Sequence, residues 1–134
     1  MPTVISLYKG GLRCMSTHLQ SNAELVTDAP TDNQGKGSSF SPTDLVATAL
    51  GTCIMTIMGT YANKNNLDFE GMKMEITKTM QSEPRRIKKI DILITMPEIG
   101  LSALQKADLD TITRSCPVCL SLNPEIEKNI SFVW

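Results

Sequence analysis

From Leu45 to Ala62 the chain runs 18 residues without a charge, in a pattern that predicts a single long helix. That length is close to what a membrane-spanning helix needs. Thr48, Thr52, Thr56 and Thr60 recur every four residues, however, and so lay a hydroxyl stripe along one helix face. Gly51 and Gly59 add small notches, and no cluster of basic residues marks either end. The pattern therefore fits a buried core helix of a soluble fold, with no membrane partner. A helix that is apolar nearly all round must be covered on both sides. A chain of 134 residues forms one domain, and its one sheet covers one side. A second copy of the chain is expected to cover the other.

The flanking segments set the fold class. Thr3–Tyr8 alternates weakly as a strand, and Gly10-Gly11 signals a hairpin into Leu12–Leu19. A third short strand fits Glu24–Asp28, followed by the loop sequence APTDNQGKGSSFSP. Ser41 and Asp44 resemble a capping box around Pro42, and the helix is expected to reach about Asn65. Two alternating segments, Glu70–Gln81 and Arg86–Met96, put Met72, Met74 and Ile76, then Ile90, Ile92 and Ile94, on one face each. Ser102–Ser115 reads as a helix capped by Ser102, and Cys116-Pro117 starts another short one. A last strand is expected at Ile130–Trp134. The order βββ-α-ββ-α-α-β predicts a single α+β domain over residues 1–134 with antiparallel sheets.

Net charge of −1 and 4% aromatic residues give no basis for binding nucleic acid. The N-terminus has no basic start followed by an apolar signal core, so a cytoplasmic location is expected. In a reducing compartment Cys14, Cys53, Cys116 and Cys119 read as free, catalytic or metal-binding thiols rather than a disulfide framework.

Cys53 shares a helix face with Val46, Leu50, Ile57 and Tyr61, where a buried core cysteine is the simplest role. Cys116 precedes a proline at a helix start, where free N–H groups are expected to lower a thiol's pKa. Cys116 and Cys119 together spell CPVC. A thioredoxin-like fold does not fit, because only 15 residues follow Cys119. Zinc requires about four ligands. Cys14, Cys53 and His18 could complete such a set, but no second Cys-x-x-Cys or paired histidine supplies them. His18, the one histidine, lies in a strand-like run and reads as a surface or interface residue.

Several motifs together resemble the OsmC/Ohr family of osmotically inducible and organic hydroperoxide resistance proteins. They are the segment TDAPTDNQGKGSSFSPTDLVATALGTCIMTIM and, after it, CPVCLSLNPEI. The resemblance extends over nearly the whole chain. It implies an OsmC-like fold and an intertwined homodimer with active sites at the interface. It also implies a thiol peroxidase that reduces organic hydroperoxides to alcohols. In that scheme Cys53 becomes a sulfenic acid and Cys116 resolves it as a disulfide. An external dithiol of lipoyl type returns both to thiols, and no bound cofactor or metal is needed. The family's cation maps best onto Arg13. The carboxylate that fixes it follows the helix-entry proline in the hydroperoxide resistance branch. Here Thr43 occupies that place, and Asp44 is the nearest acid. The departure points to a general OsmC-like branch. It also leaves a second expectation open, a binding protein that uses the same interface pocket without turnover.

Overall fold

Alternating apolar and polar residues, glycine turns and one long uncharged run build six strands and three α-helices, seen in a computed structural model that describes residues 1–134. Contacts divide the chain into two compact units, Met1–Val46 and Ala47–Trp134.

The first unit holds β1 (Val4–Gly10), β2 (Arg13–His18) and β3 (Glu24–Asp28), an antiparallel meander in the order β1-β2-β3. Gly10 and Gly11 both take positive φ, at 79° and 62°, which is why this tight turn needs glycine. A loop closes the unit and delivers the start of α1 (Pro42–Lys64). There the Ser41 N–H donates to Asp44 Oδ2 at 2.9 Å, and the Asp44 N–H donates to Ser41 Oγ at 3.1 Å. This is the reciprocal cap expected from the sequence, with Pro42 at the first helical position.

In the second unit β4 (Lys73–Gln81), β5 (Arg86–Thr95) and β6 (Glu127–Val133) form a sheet in that order. β4 and β5 are antiparallel, and Met74 and Ile76 stand opposite Ile94 and Ile92. The continuing part of α1 packs on this face: at Gly51 an added Cβ would lie 2.3 Å from Ile76 Cδ1 and 2.9 Å from Met74 Sδ. Leu50, Ile54, Met58, Ile90, Ile92 and Ile94 are all fully buried there.

Two expectations are corrected. β6 pairs with β5 in parallel, so the second sheet is mixed. The cause is the path of the chain, since α2 (Ala103–Ile112) and α3 (Pro117–Ser121) carry it back along the sheet before β6 begins. The buried face of α1 is Ala47, Leu50, Gly51, Ile54, Met58 and Ala62, and not the face that bears Cys53. By length and composition α1 could cross a membrane, but it is this face that lies on the sheet. Thr52, Thr56 and Thr60 line the exposed side, each hydroxyl donating to the carbonyl one turn earlier.

Candidate active site

Cys53 is half-buried at the middle of α1, on the face that also carries Ile57 and Tyr61. Helices α2 and α3 lie against this face. Tyr61 Oη donates to Asp108 Oδ2 at 3.0 Å, and Cys53 meets Cys116 at the entry to α3. Cys116 is fully buried. Its backbone is extended, at φ −67° and ψ 149°, as a residue before proline requires, and it caps α3. The Cys119 N–H donates to its Sγ at 3.3 Å.

The electrostatics of Cys116 run opposite to the expectation for a helix start. Burial, the largest influence, drives its pKa from 9.0 up to about 11. The Cys119 N–H pulls it down, but less than burial raises it. The hydrogen bond to Cys53 and negative charge on Cys53 or Cys119 push it further up. A thiolate is costly in a dry site, and one N–H at a five-residue helix does not offset that. The hydrogen bond with Cys53 adds to burial in favouring the neutral form of Cys116. The two sulfurs differ in setting: Cys116 is fully buried and favoured as a thiol, while Cys53 is half-buried.

Arg13 lies in the first unit, directly across the β2–β3 ladder from Asp28. Its Nη2 is 3.4 Å from Asp28 Oδ2 and also donates to Ser38 Oγ. Ser38 donates to the same carboxylate oxygen twice, from Oγ at 2.6 Å and from its N–H at 3.0 Å. These two bonds chiefly hold the Asp28 carboxyl below its ordinary 3.8; desolvation opposes them, and Arg13 assists. Asp28 is buried, and its Oδ1 has no partner. The carboxylate paired with Arg13 is thus Asp28, which sequence reasoning missed, while Asp44 caps α1. The available signal was strand register: pairing β2 with β3 through a short turn puts residue 28 opposite residue 13.

Cys14 is half-buried in β2, and His18 Nδ1 shares a 2.7 Å hydrogen bond with Ser21 Oγ. No group of three or more His, Cys, Asp or Glu side chains is arranged to hold a metal ion.

The description "OsmC-like protein" attaches to a family model that matches residues 35–131, a span containing Cys53, Cys116 and Cys119. The chain belongs to the OsmC-like family. This OsmC-like chain is 41% identical to a Psychrobacter arcticus 273-4 protein described as a candidate osmotic stress induced and detoxification response protein. The two align with a TM-score of 0.95 over 99% of this chain and 96% of that one. A Legionella pneumophila structure, described as organic hydroperoxide resistance protein OsmC, has 17% identity, a TM-score of 0.74, and covers 100% and 98% of the two chains. A Vibrio cholerae structure, a candidate organic hydroperoxide resistance protein with captopril bound in one of its active sites, has 15% identity, a TM-score of 0.73, and coverage of 98% and 92%. At those identities the last two establish the shared fold. No curated protein matches the chain by sequence.

Proposed function

We propose that this OsmC-like chain is a thiol-dependent peroxidase that reduces organic hydroperoxides to alcohols. The observation that carries this reading is the contact between half-buried Cys53 on α1 and fully buried Cys116 at the start of α3. Cys53 as thiolate attacks the terminal oxygen of the hydroperoxide, the S–O bond forms as the O–O bond breaks, and the alkoxide leaves and takes up from solvent the proton that Cys53 released, giving the alcohol. Cys116, kept protonated beside it, condenses with the resulting sulfenic acid and releases water. A small dithiol of lipoyl type restores both thiols by exchange. The half-buried apolar face around Cys53, with Ile57 and Tyr61, suits an organic peroxide better than hydrogen peroxide. Arg13 supplies the cation of the cycle on this reading, with Asp28 and Ser38 as its anchor. The working species is a homodimer, and the site is cytoplasmic.

The test is a thiol count after reduced protein meets cumene hydroperoxide. Wild type is expected to lose two thiols rapidly and Cys53→Ser none. Arg13→Ala is expected to slow the loss without changing its final extent. If wild type keeps all its thiols under excess peroxide, the peroxidase reading fails. The second expectation, binding of a small thiol-bearing or apolar molecule without turnover, would then stand in its place; captopril is bound in one active site of the Vibrio cholerae neighbour.

A further inference from the structure

We propose that Cys119 is a third redox thiol, which takes over the Cys53–Cys116 disulfide by internal exchange and moves it to a Cys116–Cys119 pair. This rests on the peroxidase reading above and deepens it. Cys116 is in contact with both of the other cysteines. It hydrogen-bonds Cys53, and its Sγ accepts the Cys119 backbone N–H at 3.3 Å. As the cap of α3, Cys116 folds its side chain over the first turn toward the third helical residue, which is Cys119 itself. Residues three apart on a helix are neighbours, so the pair is within reach of disulfide closure after small adjustment.

Burial gives the exchange its purpose. Cys116 is sealed from solvent, so an outside thiol cannot approach its sulfur, whereas Cys119 attacks from within. Cys119 is half-buried on a short helix whose next residue, Leu120, is 74% exposed. In the exchange the Cys119 thiolate attacks Cys116 Sγ, the Sγ116–Sγ119 bond forms and the Sγ53–Sγ116 bond breaks. Cys53 leaves as thiolate and takes up the proton that Cys119 gave. No electrons are gained or lost, since the hydroperoxide has already accepted two. Attack at this sulfur expels Cys53; attack at Cys53 would have to expel Cys116, which burial makes a poor leaving group. The exchange restores Cys53 for substrate and places one half of the disulfide on half-buried Cys119.

The deciding experiment is a disulfide map by mass spectrometry of the full chain, alkylated after one equivalent of cumene hydroperoxide and, separately, after diamide. The expected map has Cys116 linked to Cys119 with Cys53 alkylated, and Cys119→Ser stops at Cys53–Cys116. A wild-type map that stays at Cys53–Cys116 with Cys119 alkylated overturns the relay and leaves the peroxidase reading standing. If the hydroperoxide consumes no thiol, the peroxidase reading fails and the relay that rests on it fails too. A diamide map in which Cys116 and Cys119 never pair overturns the relay on its own, whatever the hydroperoxide does.

Discussion

At the scale of single residues, two groups carry charge states set by their surroundings, and each gives a pH test. Cys116 has its pKa raised from 9.0 to about 11, chiefly by burial. Its neutral form is therefore favoured in the folded chain. The associated stability is full below pH 9, where the unfolded thiol is also protonated, and is lost as pH rises through 11. The same shift is expected to shield Cys116 from iodoacetamide at pH 8 in the native reduced protein, while urea-unfolded protein labels it readily. Equal labelling in both states would remove the argument for a protected resolving thiol. Asp28 is shifted the other way, held below 3.8 first by Ser38 and then by Arg13. Its contribution is present above pH 3.8 and lost as pH falls through the lowered value. Asp28→Asn should lower the melting temperature at pH 7, and the gap to wild type should close toward pH 2. The Asp28–Arg13 pairing was not legible in the sequence. Nearness in sequence to the helix entry favoured Asp44, but β-ladder register, which depends on how the turn between strands closes, made the choice.

At the scale of elements, most of the fold was legible because each element has a local cause. Alternation placed β4 and β5, the Ser41–Asp44 cap placed the start of α1, and the Ser102 cap placed α2, where the structure adds a reciprocal bond from Gln105. Two features had no local cause. The direction of β6 is set by the crossover, and its start at Glu127 lies in polar residues that pair with Lys89, Ile90 and Asp91 of β5. The buried face of α1 could not be chosen from its residues, because apolar side chains surround the helix. Gly51 decides it by letting β4 approach closely. The loop before α1 depends on a tighter approach. A Cβ at Gly35 would stand 1.8 Å from the Ala29 carbonyl oxygen, a backbone atom that cannot swing aside. Gly35→Ala should therefore cost about 3 kcal/mol or more, read as a lower urea midpoint. Since this loop delivers Ser38 to Asp28, the variant should also lose the Asp28-dependent acid transition. Ile92→Ala, in the core of the second unit, should cost about 2–5 kcal/mol and leave that transition in place. A Gly35→Ala midpoint equal to wild type would mean that the loop can rebuild at no cost.

At the scale of the whole molecule, the first unit is the part least able to stand in water alone. Every residue of β1 is exposed, and its apolar side chains point to both faces: Ile5 is 49% exposed, Leu7 56% and Tyr8 67%. Leu25 and Val26 on β3 and Phe40 beyond it are also exposed. A three-stranded sheet is held by what covers its apolar face, and neighbouring exposed apolar residues of this kind mark an interaction surface. The sequence raised the same demand from a different element, the uncharged helix. Its exposed stripe proves to be threonines whose hydroxyls are already bonded within the helix, so the demand falls on the sheet. The proposed cover is a second copy of the chain. Light scattering after gel filtration should then give twice the 14.7 kDa chain mass at micromolar concentration. Leu7→Lys places a charge on the exposed strand, where it disturbs no buried contact within the chain. It should shift the mass toward the monomer and lower the melting temperature together, and the thermal midpoint of wild type should rise with protein concentration. A monomeric wild type with a concentration-independent midpoint would show that the sheet stands uncovered, and the homodimer would have to be abandoned along with the shared site it implies.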